Sequence, residues 1–135
     1  MIDKGFVAIA VGGGGIPVAR DDYGNLYGVE AVIDKDYASG LLANSINADL
    51  FLISTAVEKV ALNYGKPDQK DLDTINLSEA EKYYNEGHFP QGSMGPKIKA
   101  VIDFLKRGGK EAIITTPECI ELALEGKTGT KIVKD

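Results

Sequence analysis

Tryptophan is absent from this 135-residue chain, histidine and cysteine occur once each, and methionine occurs twice. A single cysteine, Cys119, cannot close an internal disulfide, and the single histidine, His88, has no Cys or His neighbours at the spacing of a zinc site. Both are read as structural or incidental, and no protein-held metal site is expected. Long apolar runs are also missing: residues 6–11 are among the longest, far short of the roughly 20 residues that cross a bilayer. No membrane partner is therefore expected. The start of the chain lacks the cationic, apolar and small-residue series of a secretory signal, which together with the lone cysteine suits a reducing cytoplasm. Positive charge is not in excess. Against 20 Asp and Glu stand 15 Lys and Arg, a formal net charge of −5, and the basic residues are scattered rather than striped. That distribution argues against nucleic acid as a partner.

What is present is an ordinary folding composition, 44% apolar and 26% charged, well away from the low-hydrophobicity signature of disorder. The length suffices for one core and is too short for two, so one domain spanning residues 1–135 is expected. Residues 6–11 form a continuous apolar, partly β-branched run that stops at four glycines, which predicts a buried strand entering a tight loop. Residues 21–28 are polar and turn-rich and lead to a short extended segment at 29–33, a hairpin-like excursion. A helix is predicted from Asp36, as N-cap or first-turn acid, to about Asn47. Strands are predicted at 50–54 and 60–63, with an exposed loop at 65–73. Ser78 and Glu81 have capping-box spacing before a short helix ending at Gly87. Residues 96–107 place Ile98, Val101, Ile102 and Leu105 on one helical face, and Gly108 and Gly109 end it. A strand at 112–115, a helix from Thr116 and Pro117 to Gly126 and a last strand at 130–133 complete the series. Strands alternating with helices predict an α/β domain with a largely parallel sheet, whose ligands collect at the carboxyl ends of the strands.

Three segments could carry chemistry. Gly12, Gly13, Gly14 and Gly15 follow a predicted strand, and without Cβ atoms their N–H groups can approach an anion closely. The series lacks the Gly-Lys-Ser/Thr ending of a P-loop, and Pro17 stands where a dinucleotide fingerprint has its last glycine. Four glycines serve a tight structural turn as readily as an anion cradle. Asp34, Lys35 and Asp36 lie between a strand end and a helix start, where two carboxylates could hold a lysine in a fixed pose. Phosphoryl transfer uses such a lysine, because its catalysis is positioning plus fixed positive charge. Spacing alone favours the plainer reading, a surface charge cluster with a helix cap. The loop from Gly92 through Ser93, Met94, Gly95 and Pro96 to Lys97 runs into a helix whose positive end would face a ligand. An ordinary helix start with Pro in the first turn explains it equally well. The stretch from Thr55 to Tyr64 leaves a strand and offers an aromatic surface that suits a base or plain packing.

Read together, Gly12-Gly-Gly-Gly-Ile-Pro-Val18, Gly28-Val-Glu-Ala-Val-Ile-Asp-Lys-Asp36, Asn63-Tyr-Gly-Lys-Pro67 and Glu86-Gly-His-Phe-Pro-Gln-Gly-Ser-Met-Gly-Pro-Lys97, followed by Gly126-Lys-Thr-Gly-Thr130, resemble the signatures of carbamate kinases in their family order. The resemblance implies an amino acid kinase fold, a three-layer sandwich around a largely parallel sheet, of which this chain matches the later, ATP-binding half. It further implies that Lys35 and Lys97 hold the transferred phosphoryl group, that Asp36 and Asp34 orient the lysines, and that glycines 12–15 line the phosphoryl or carbamate side. Thr55, Ala56, Val57, Tyr64, Met94 and Gly95 would form the nucleotide pocket. ATP or ADP with Mg²⁺, and carbamate, are the implied small molecules, in arginine or carbamoyl phosphate metabolism. The earlier half would bring another phosphate loop, another lysine and most of the acceptor pocket, so a homo-oligomer or pairing with that half is expected. The alternative is a truncated, non-catalytic nucleotide-binding or assembly module of the same fold.

Overall fold

The computed structural model describes residues 2–135. After a 3₁₀ turn at Ile2–Lys4, strands β1 (Val18–Arg20) and β2 (Leu26–Gly28) form a hairpin, followed by helix α1 (Lys35–Ser45) and strand β3 (Leu50–Ser54). Two-residue strands β4 (Ala61–Leu62) and β5 (Lys70–Asp71) pair with each other, and β6 (Thr74–Asn76) leads directly into α2 (Leu77–Asn85). Helix α3 (Met94–Lys106), strand β7 (Glu111–Thr115), a 3₁₀ turn at Pro117–Cys119 continuing into α4 (Ile120–Leu124), and strand β8 (Thr130–Val133) complete the chain.

The main sheet has the order β3-β7-β8-β6. The pairs β3/β7 and β6/β8 are parallel and β7/β8 is antiparallel, so the sheet is mixed and mostly parallel. Its register puts Phe51 opposite Ala112, Ala112 opposite Ile132, and Ile132 opposite Ile75. Because side chains alternate along a strand, these four form one apolar row across all four strands. Helix α3 buries Ile98, Val101, Ile102, Phe104 and Leu105 in the same cluster as this row. Phe104 meets Phe51 with ring centroids 5.4 Å apart at a tilt of 55°. Helix α1 reaches α3 through Gly40, where an added Cβ would lie 3.3 Å from the Ala100 carbonyl oxygen. Ile113, of opposite alternation, lines a cleft with Ala123 of α4, so the sheet lies between two helical layers.

Several expectations need correction. Residues 6–11 join no ladder, and no backbone hydrogen bond beyond the Gly14 N–H to Val11 carbonyl turn ties them down. Val7 is 95% and Ile9 100% exposed. An apolar run specifies a buried strand only when neighbours flank it, and none does among the described residues. The hairpin exists, but its strands are 18–20 and 26–28; of residues 29–33, Val29 donates its N–H to the Pro17 carbonyl at 3.1 Å and Ile33 forms a single bridge to Gly15. The segment at 60–63 narrows to β4, and the loop at 65–73 contains its partner β5. Asp34 caps α1, leaving Asp36 as the first-turn acid. The capping box is Asn76 with Glu79, each side chain bonded to the other's backbone N–H, not Ser78 with Glu81. No helix among the described residues is long and apolar enough to cross a membrane.

Candidate active site

The glycine loop is placed by its contact with the segment before α1. The Gly14 N–H donates to the Val11 carbonyl at 3.1 Å, and Gly15 bridges Ile33. A Cβ on Gly14 would collide with the Ile33 carbonyl oxygen, and one on Gly15 would lie 3.0 Å from Ile33 Cγ2. Gly14 therefore admits no side chain while the loop lies against Ile33, and Gly15 admits one only if the Ile33 side chain gives way, whatever else the loop binds.

Residue 34 begins the helix that organises the charges. The Asp34 carboxylate accepts the Asp36 N–H at 2.7 Å, which satisfies one of the free donors of α1 and fixes the rotation of its first turn. That rotation turns Asp36 inward, where it is 8% exposed, while Lys35 stays outside. Asp36 Oδ2 accepts from Lys97 Nζ at 2.9 Å, an ion pair whose side chains are 11% and 13% exposed. Lys35 has no carboxylate within ion-pairing distance among the described residues. Two of the four predicted charged residues thus meet in one buried pair, one caps the helix that holds it, and the fourth presents a free ammonium.

Lys97 sits in the first turn of α3. Ser93 precedes the helix without capping it, Pro96 has no N–H, and the Gly95 N–H already donates to the Pro90 carbonyl at 2.8 Å. The helix end therefore offers fewer free donors than its sequence suggests. Gly95 packs tightly there, since a Cβ would come within 3.0 Å of the Pro90 oxygen.

At the carboxyl end of β3 the Thr55 N–H donates to the Thr115 carbonyl at 2.8 Å, which carries the chain off the sheet beside β7. Thr55, Ala56, Val57, Tyr64 and Met94 line one cleft of about 210 Å³, largely apolar in its walls. Tyr64 is held at its rim by the β4–β5 excursion, where Asn63 bonds Asp68 at 2.7 Å and the Gly65 N–H bonds Gln69 at 2.9 Å. Met94 begins the helix that carries Lys97, so the cleft and the buried ion pair share one element. The wall also includes Ser93, from the loop already read as a candidate, and Lys59, Ala61, Phe89 and Pro90, which sequence reasoning did not assign to it. Phe89 and Pro90 lie inside the recognised motif and could have been named from it. Lys59 carried no signal, because its place depends on the turn after β3. Its ammonium pairs with Asp73 at 2.5 Å, and that hydrogen bond holds it above the usual lysine value.

His88 lies edge-on to Tyr83 with ring centroids 5.9 Å apart, and Cys119 is half-buried in the Pro117–Cys119 turn; neither lines this cleft. Among the described residues no three His, Cys, Asp or Glu side chains gather as a metal site.

Residues 1–116 match the Amino acid kinase family. The chain is 55% identical over 134 residues to the carbamate kinase-like protein YahI of Escherichia coli, covering 99% of this chain and 42% of that protein. It is 51% identical over 135 residues to the carbamate kinase of Thermococcus kodakarensis, covering 100% of this chain and again 42% of the relative. Among solved structures, a carbamate kinase from Giardia lamblia bound to AMP-PNP superposes with a TM-score of 0.91 at 46% identity, covering 99% of this chain and 47% of that one. The chain thus spans less than half the length of the relatives it matches. By its matched span, its fold and the residues those share, this chain belongs to the amino acid kinase family.

Proposed function

We propose that this chain is the nucleotide-binding, carboxy-terminal part of a carbamate kinase, catalysing reversible phosphoryl transfer between ATP and carbamate to give carbamoyl phosphate and ADP. The observation that carries it is the buried Asp36–Lys97 pair, which joins the start of α1, where Ile33 and Ala38 meet the glycine loop, to the start of α3, where Met94 lines the apolar cleft. About 50% identity to carbamate kinases over nearly the whole chain supports the same reading.

The geometry supports a role for each residue in this reading. An ammonium has three donors, and Asp36 takes one from Lys97, which leaves two to direct at phosphoryl oxygens. Asp36 fixes where they point, and Asp34 fixes Asp36 by capping α1. Lys35, exposed and with no carboxylate partner among the described residues, would bring a second positive charge from the same helix start. Charge accumulates on the transferred group during the reaction, so the positioned Lys97 ammonium, joined by that of Lys35, stabilises that state more than the ground state. Gly12, Gly13, Gly14 and Gly15 would line the phosphoryl or carbamate end, with the Gly14 N–H already given to the Val11 carbonyl, and Thr55, Ala56, Val57, Tyr64, Met94 and Gly95 would line the base and ribose. Mg²⁺ arrives with the nucleotide and neutralises its phosphates. The physiological setting is a cytoplasmic one, in arginine or carbamoyl phosphate metabolism.

A second reading is favoured by the exposed residues 6–11 and the partial span: a non-catalytic module that binds nucleotide or assembles with a further polypeptide of the same fold. Incubating the chain with MgADP and carbamoyl phosphate and detecting ATP separates the two. Turnover that disappears in Lys35→Ala, without change in the unfolding midpoint, supports the kinase. Nucleotide binding without turnover supports the module, and neither binding nor turnover rejects both.

A further inference from the structure

Among the described residues Lys59 is the only charged one lining the cleft after β3, and it also lines two neighbouring clefts. Its ammonium bonds Asp73 at 2.5 Å, and Asp73 lines the cleft against residues 126–131, not the one lined by Thr55, Val57 and Met94. The lysine therefore stands where these clefts adjoin, with its ammonium bonded to a carboxylate that is not part of the first.

Both ends of this tether stand on fixed backbone. Next to Lys59, the Val60 N–H donates to the buried Thr130 hydroxyl at 2.8 Å, and that hydroxyl donates to the Leu72 carbonyl at 2.5 Å. On the other side Glu58 accepts from the Thr128 hydroxyl. Asp73 is pinned through its carbonyl, which accepts the Lys131 N–H at 2.8 Å.

We propose that Asp73 is a positioning residue for base selectivity, holding the Lys59 ammonium out of the cleft so that an uncharged wall meets the base. This rests on the nucleotide reading of that cleft. Both purines present N7 as an acceptor, but beside it guanine has the acceptor O6, which an ammonium binds well, whereas adenine has an N6 amino donor that faces an ammonium donor to donor. A lysine free to enter would therefore favour guanine, and one held by Asp73 leaves adenine the better fit.

The test is calorimetric titration of MgADP and MgGDP into the wild-type chain, Asp73→Asn and the double variant Asp73→Asn/Lys59→Met. Asp73 is 80% exposed, so its replacement should not disturb folding. An exposed pair is a weak tether, so Asp73→Asn is expected to move the ADP-to-GDP affinity ratio toward GDP by about 2- to 5-fold. The double variant should return to the wild-type ratio. A merely structural role for the pair would weaken both nucleotides alike. An unchanged ratio with both still bound, or a shift that survives in the double variant, overturns the tether alone. A wild-type chain that binds neither nucleotide overturns the nucleotide reading and the tether with it.

Discussion

Lys97 and Asp36 stand 61 positions apart in sequence and meet in a pair almost closed to solvent. Removing one partner of such a pair strands the other as an uncompensated charge, which typically costs ~3–5 kcal/mol. Lys97→Met should therefore lower stability by about 3 kcal/mol, and Lys97→Met/Asp36→Leu should recover most of the loss, both read by urea unfolding. Thr115 makes the complementary case. It is fully buried and its Oγ1 has no hydrogen-bond partner among the described residues. Thr115→Val removes an unsatisfied hydroxyl at constant shape, so unfolding should show a gain of up to about 1 kcal/mol. Asp21 carries a titration prediction. Hydrogen bonds from the Asn25 side chain and backbone, with Tyr23 and Gly24, hold its carboxyl below its usual 3.8. A lowered folded value means that the ordering of this turn is complete above about pH 4 and is lost as pH falls through the folded value. The Asn25 side-chain amide signals, followed by NMR on acidification, should merge toward free-amide positions only below that range.

The elements show what a sequence does and does not disclose. Helix α3 was legible because Ile98, Val101, Ile102 and Leu105 repeat on one face and Gly108, at φ 115°, ends it. Strands β3, β7 and β8 were legible as short apolar runs between breakers. Strand β6 was not, because three residues with one buried side chain carry no periodicity, and its identity depends on pairing with β8. The same pairing moved the capping box: Asn76-x-x-Glu79 and Ser78-x-x-Glu81 both fit the pattern, and only the register Asn76 opposite Val133 selects the first. Asn76→Ala should cost about 1 kcal/mol in thermal or chemical unfolding, while Ser78→Ala should leave the helix cap intact. In the candidate site, Asp34, Asp36 and Lys97 could be named from the motifs as candidates. Their geometry was not legible there, since which carboxylate caps and which pairs is fixed by the rotation of one helical turn.

On the scale of the molecule, exposed apolar side chains concentrate in residues 6–46, including Phe6, Val7, Ile9, Ile16, Val32 and Leu41. An unpaired apolar strand run is a template for association. Sedimentation velocity should show concentration-dependent self-association, reduced by Ile9→Lys, whose fully exposed site predicts little change in stability. The nucleotide reading concerns the cleft where the chain leaves β3 and α3 begins. Titrating MgADP into the isotopically labelled chain and following backbone amide signals tests it most directly. The account predicts shifts centred on Thr55, Ala56, Val57, Tyr64, Met94 and Lys97. Shifts confined to other parts of the chain, or none at saturating nucleotide, would contradict it.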